Sequence, residues 1–143
     1  MTIALLDDHL LRDLLGRDVG SDLADLLSEH EPATTNLYLY RLCKSAVSAR
    51  GGALTGAWPA ERRRELGRRL LAVPNTVRVV PMQLLAYRMA EIADTNRVST
   101  LGAEAAAAAE HLDAPLCVWA GDDGPAIRTA VTTIGAEYRV ISR

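Results

Sequence analysis

The sequence predicts a three-layer α/β/α fold around a central, mostly parallel sheet of four to five strands. Three observations carry this expectation. Two apolar runs without alternation, residues 3–6 and Leu116–Trp119, suit strands buried on both faces. Stretches with apolar residues at helical spacing separate the strand-like runs. Turn and capping residues fall at most of the junctions. Strand–helix alternation of this kind buries a parallel sheet between two helical layers.

The bulk composition bounds the rest. At 143 residues the chain fits one domain, residues 1–143, with room for a sizeable core. The net charge of −2 excludes a global field that attracts nucleic acid or membrane, so local patches must be judged separately. Cys43 and Cys117 sit in apolar surroundings without metal-ligand spacing, and are expected to be reduced core thiols. No basic segment leads into an apolar signal core, and no apolar run is long enough to span a bilayer. A cytoplasmic location with no membrane partner is the expectation.

The first strand, Ile3 to Leu6, stops at Asp7 and Asp8, and helical spacing then begins with Leu10, Leu11, Leu14 and Leu15. This helix should end near Gly16 to Gly20. Ser21 is the expected N-cap of a second helix through Glu29, with Leu23, Leu26 and Leu27 as its stripe. Glu31-Pro32 should break the chain, leaving Ala33-Thr34-Thr35 as a very short strand. Thr35 or Asn36 then caps a helix over residues 37–49. The Gly-rich stretch 51–59 reads as a loop; it lacks the Lys-Ser/Thr ending of a phosphate-binding loop. Pro59 suits the start of a helix running to about Ala72. Within it, residues 61–69 hold five arginines and two glutamates, a local balance of +3. Residues 76–80 read as a β-branched strand closed by Pro81. Residues 82–94 carry Leu85, Met89 and Ile92 at helical turns. Ser99 or Thr100 caps an alanine-rich helix ending near His111. After the second apolar strand, residues 120–124 form a turn, Pro125 opens a helix to about Ile134, and residues 137–142 form the last strand.

Both apolar strands end in a carboxylate pair, Asp7-Asp8 and Asp122-Asp123. Strand ends of an open α/β sheet are where ligands bind. If the strands are neighbours, four acids converge, and a cation would relieve their repulsion. Oxygen donors suit Mg²⁺ or Mn²⁺, which could activate water on a phosphodiester. Asp7, Asp122 and Asp123 are therefore the candidate catalytic residues, and Asp7, Asp8, Asp122 and Asp123 the candidate metal ligands. Asp-Asp-Gly is also an ordinary turn sequence. His9 reads as a cap or hydrogen-bond donor, because consecutive residues at a helix start point in different directions. His30 and His111 lie at helix ends. No serine or cysteine has an evident base partner, so covalent catalysis has no support. Arg64 and Arg68 are candidate contacts to RNA phosphates or to an acidic partner, against the alternative of a solvated face. Tyr38, Tyr40 and Trp119 are candidate base-stacking groups, though most aromatic residues serve packing.

The stretch Leu5-Leu6-Asp7-Asp8-His9-Leu10-Leu11, the Ala33-Thr34-Thr35 lead into a helix, and residues 107–116 entering the penultimate strand resemble the PIN domains. These include the ribonuclease toxins of bacterial toxin–antitoxin pairs. The resemblance implies a sheet of four or five parallel strands, RNA cleavage, and Mg²⁺ or Mn²⁺ held by three or four acids. Asp7 matches the first acid. The second falls on Arg41, beside Tyr40; the third falls at Gly102, and the fourth near Ala120. Glu104 is close to the third position, but an offset of two residues turns about 200° around a helix. Asp122 or Asp123 could replace the fourth acid only across a longer turn.

The sequence therefore leads to a PIN-like fold with a degenerate acidic site. Its expected activity is a weak or lost ribonuclease, kept for RNA or protein binding. The alternative is an active Mg²⁺- or Mn²⁺-dependent endoribonuclease, a toxin with an antitoxin-like protein partner. A third reading is a homodimeric, partner-binding module, which requires an apolar surface patch. Arg41 separates the first two readings. It is expected at the same crevice, paired with Asp7 or Asp8 and standing where the family holds a carboxylate; it is also a candidate RNA or partner contact.

Overall fold

The computed structural model describes residues 2–48, 50 and 52–143. Five strands form one all-parallel sheet in the order β3-β2-β1-β4-β5. In chain order the elements are β1 (Thr2–Leu6), α1 (Asp8–Leu15), α2 (Ser21–Glu29), β2 (His30–Thr35), α3 (Asn36–Val47), α4 (Gly52–Thr55), α5 (Ala60–Leu70) and β3 (Arg78–Val80). They continue with α6 (Ala86–Thr95), α7 (Thr100–Leu112), β4 (Leu116–Trp119), α8 (Pro125–Thr133) and β5 (Tyr138–Ile141). Short 3₁₀ turns, Met82–Leu84 and Ala120–Asp122, precede α6 and follow β4. No helix of the described residues is long and apolar enough to cross a membrane.

The apolar runs are central strands, as their lack of alternation required. In β1, Leu5 packs with α6, α7 and α8, while Ala4 and Leu6 pack with α1 and α2. In β4, Leu116 and Val118 join the first of these cores and Cys117 the second. A third cluster, Leu11, Leu15, Leu42, Leu54, Leu66 and Val77, joins α1, α3, α4 and α5. The alanine run of α7 is buried from Ala105 to Ala109. Small side chains let this helix lie close on the sheet, where bulkier ones would hold it away. Cys43 and Cys117 are both free thiols.

Several boundaries differ from the sequence expectation, each for a local reason. Strand β2 includes Glu31 and Pro32, which were expected to break the chain. Pro32 pairs only with β1, because β3 reaches no farther than Ala33, so that stretch of β2 behaves as an edge and tolerates proline. Ser21 is the first residue of α2, and its expected side-chain cap is not made. Residues 82–94 do not form one helix; a 3₁₀ turn precedes α6. Within the Gly-rich stretch, Gly52–Thr55 closes a helical turn. Strand β3 is confined to Arg78–Val80, and α3 ends at Val47, with Ala49 and Gly51 outside the described residues.

The five arginines of the basic helix lie on α5. Arg64 bonds Glu61 at 2.7 Å, Arg68 lies 3.4 Å from Glu65, and Arg69 reaches Glu65 at 3.0 Å and the Leu15 carbonyl at 2.6 Å. Arg62 stacks on Trp58 and pairs with Asp18. Exposed pairs of this kind contribute about 0–1 kcal/mol each. Replacing Arg64 and Arg68 together by alanine should therefore move the unfolding midpoint only slightly. A loss of more than about 2 kcal/mol in urea titration would contradict that accounting.

Candidate acidic site

Strand β4 lies directly beside β1, and both deliver their carboxyl ends to the same edge of the sheet. The order changes direction on either side of β1, which makes this edge the topological switch point. All the acids singled out at the two strand ends lie along it, but they divide into three groups with different surroundings.

Asp7 faces inward. It is the N-cap of α1: Oδ1 accepts from the Leu10 amide at 2.9 Å and Oδ2 from the Trp119 amide at 3.0 Å. Its own amide donates to the Cys117 carbonyl at 3.1 Å. The carboxyl thus ties the start of α1 to the end of β4. Burial pushes its pKa up to about 7, although both amide bonds favour the charged form.

Asp8, His9 and Asp122 form the second group. Their donor atoms lie within 4.8 Å of one another. Asp8 is completely buried; Oδ1 accepts from the His9 amide at 3.0 Å, while Oδ2 faces the Arg41 guanidinium at 3.3 Å without a hydrogen bond. Burial raises the Asp8 pKa, and Arg41 acts against that rise. His9 Nε2 lies 3.5 Å from Asp122 Oδ2, and its ring packs on Trp119 at 4.8 Å between centroids. Burial lowers the His9 pKa, which keeps the ring neutral. The Arg143 guanidinium also lies over the Trp119 ring, at 4.9 Å, itself held by a bidentate pair with Asp13. This stack fixes the His9 ring beside Asp122.

Asp123 belongs elsewhere. Its oxygens accept from Tyr138 at 2.8 Å and from Arg128 at 2.7 Å, and these bonds hold its pKa below the ordinary carboxylate value. Tyr38 is buried in the core, Tyr40 is exposed, and Trp119 packs with both His9 and Arg143. Arg41 is half-exposed at the rim and lines a cavity with Lys44, Ser48 and Gly52.

Of the four positions where the PIN resemblance puts acids, only Asp7 carries a carboxylate. Asp7 has both oxygens on backbone amides. Arg41 brings a cation rather than a carboxylate. Position 102 has no room for one: a Cβ on Gly102 would overlap Val98 Cγ2 and stand 2.9 Å from Ile127 Cγ1. Glu104 Oε1 accepts from the Leu37 amide at 2.9 Å. It is fully buried, and through that bond it fixes the start of the helix that carries Arg41, while its Oε2 has no hydrogen-bond partner. Sequence reasoning had no signal for that role, because the contact spans 67 positions. It read His9 as a cap or hydrogen-bond donor ahead of a ligand. The adjacent Asp8 and His9 diverge, yet the turn after β4 brings Asp122 back to both.

Neither models of known protein families nor curated proteins match this chain. The fold is a Rossmann-like α/β arrangement whose five-stranded parallel order is consistent with PIN-like topology. Its candidate site is the Asp8, His9 and Asp122 cluster, the one group among the described residues with the donors to hold a metal ion.

Proposed function

We propose that this chain is a PIN-like domain whose ribonuclease activity is lost or vestigial and whose remaining role is binding. The observation that carries this reading is Arg41, 3.3 Å from the buried Asp8. It stands where the family resemblance puts an acid, and its guanidinium supplies the positive charge that a cluster of carboxylates otherwise takes from a metal. The closed position at Gly102 and the doubly bonded Asp7 point the same way. The bound partner fits an RNA or a protein through the half-exposed Arg41 rim. The paired arginines of α5 lend RNA little support, since phosphate would have to displace Glu61 and Glu65 from Arg64 and Arg68.

A second reading, an active endoribonuclease, is favoured by one observation: Asp8, His9 and Asp122 remain close together. One assay separates the two. Labelled single-stranded RNA is incubated with the purified chain in Mg²⁺ and in Mn²⁺, beside the Asp8→Asn and Asp122→Asn variants. The expected result is no cleavage beyond a trace that all three proteins share. Divalent-dependent cleavage that disappears in both variants would overturn the loss of activity.

A further inference from the structure

The acidic edge holds a donor set that the family positions do not account for. Asp8, His9 and Asp122 each present one donor within 4.8 Å of the others. None stands at Asp7, Arg41, Gly102 or Ala120, where the resemblance puts its acids. One further observation points to a ligand. Asp8 is fully buried, and its Oδ2 accepts no hydrogen bond, with the Arg41 guanidinium facing it at 3.3 Å. The His9 side chain is only 9% exposed and brings Nε2 to 3.5 Å from Asp122 Oδ2. Native proteins leave few buried polar atoms unpaired, and an ion is one of the ordinary explanations.

We propose that Asp8, His9 and Asp122 form a binding site for one Zn²⁺-class ion, and that the Arg41 guanidinium occupies this charge position when the ion is absent. The donor chemistry selects the class. An imidazole with two carboxylates suits Zn²⁺, whereas Mg²⁺ prefers oxygen and retains its water. Three protein ligands leave a fourth tetrahedral position open to water or an incoming group. Donors about 2.0–2.1 Å from a tetrahedral ion lie roughly 3.4 Å apart, so donors up to 4.8 Å apart here must close by about 1.4 Å. The Asp122 side chain is 52% exposed on a short turn and is free to make that shift. The Arg41 side chain, 44% exposed, can leave Asp8 for solvent on the same side. Metal loading then releases its charge toward the cavity it lines with Lys44 and Ser48, so zinc sets how basic that rim is.

Titration calorimetry on chelator-treated protein tests this with ZnCl₂ and MgCl₂ separately. The wild type should bind one Zn²⁺ per chain, at least tenfold more tightly than Mg²⁺. Asp122→Asn changes a half-exposed residue and should keep the fold, yet weaken Zn²⁺ at least tenfold. Arg41→Gln should tighten it, because the competing cation is gone. Zn²⁺ should also raise the melting temperature of the wild type but not of Asp122→Asn. The site is overturned if Zn²⁺ fails to bind at micromolar concentration, binds no better than Mg²⁺, or binds Asp122→Asn equally well. Unchanged affinity in Arg41→Gln overturns the role given to the guanidinium. Hydrolysis is not read in this experiment, so its failure and the failure of the proposed loss of ribonuclease activity are separate results.

Discussion

Raising the pH from about 5 to about 8 is expected to lower the stability of this fold, with Asp7 contributing roughly 3 kcal/mol of the loss. Its pKa is raised from 3.8 to about 7 by burial. A carboxyl that holds its proton more tightly when folded stabilises the fold fully below its unfolded pKa. That contribution fades as the pH rises through the folded value. Asp8 and Glu104 are shifted upward by burial too and act in the same direction. His9 opposes them: its lowered pKa costs stability as the pH falls below the ordinary histidine value. Three carboxyls act against one imidazole, so the net trend is a fall in stability as the pH rises toward the folded value of Asp7. Urea titrations across that range check the sign, and a midpoint that climbs steadily from pH 6 to pH 8 would sink it. The Asp7→Ala variant separates the source. It should flatten the alkaline fall, while costing about 2–3 kcal/mol at pH 6 because the Leu10 and Trp119 amides lose their acceptor.

Gly102→Asp, which restores an acid where the resemblance expects one, should destabilise the protein by about 3 kcal/mol or more and bring no ribonuclease activity. An ordinary helical glycine gains about 1 kcal/mol on replacement by alanine. Here the Cβ would overlap Val98 and press on Ile127 of α8. Gly102→Ala is therefore the sharper test: it should lose about 1–3 kcal/mol where propensity alone predicts a gain. A more stable Gly102→Ala protein would show that the α7–α8 contact can open, and the third acid position would then be recoverable.

The degree to which the site was legible in the sequence varies by residue. Ile3 to Leu6 and Leu116–Trp119 announced themselves as buried strands, and their terminal acids announced the edge. Neighbouring strands then followed from the topology that parallel sheets allow, and β1 does lie against β4. The Arg41–Asp8 pair was also within reach, because α3 follows β2 directly and places its second turn over the same edge. The Asp122–His9 contact was not. It depends on how the 3₁₀ turn Ala120–Asp122 folds back, and adjacent residues of that turn take opposite courses, Asp122 toward His9 and Asp123 toward Tyr138 and Arg128.

What the sequence by itself determined is the α/β class, the strand-helix order and the acidic edge, because periodicity and run length act within a few residues of each other. Tertiary structure alone decided what each oxygen meets. Both of Asp7's accept, one from the Leu10 amide beside it and one from the Trp119 amide 112 positions away, and Glu104 Oε1 accepts from Leu37 across 67 while its Oε2 stays unpaired. Two adjacent aspartates are chemically identical as letters. They become a buried cap and a cluster member only when the packed backbone presents amides to one and a guanidinium and an imidazole to the other.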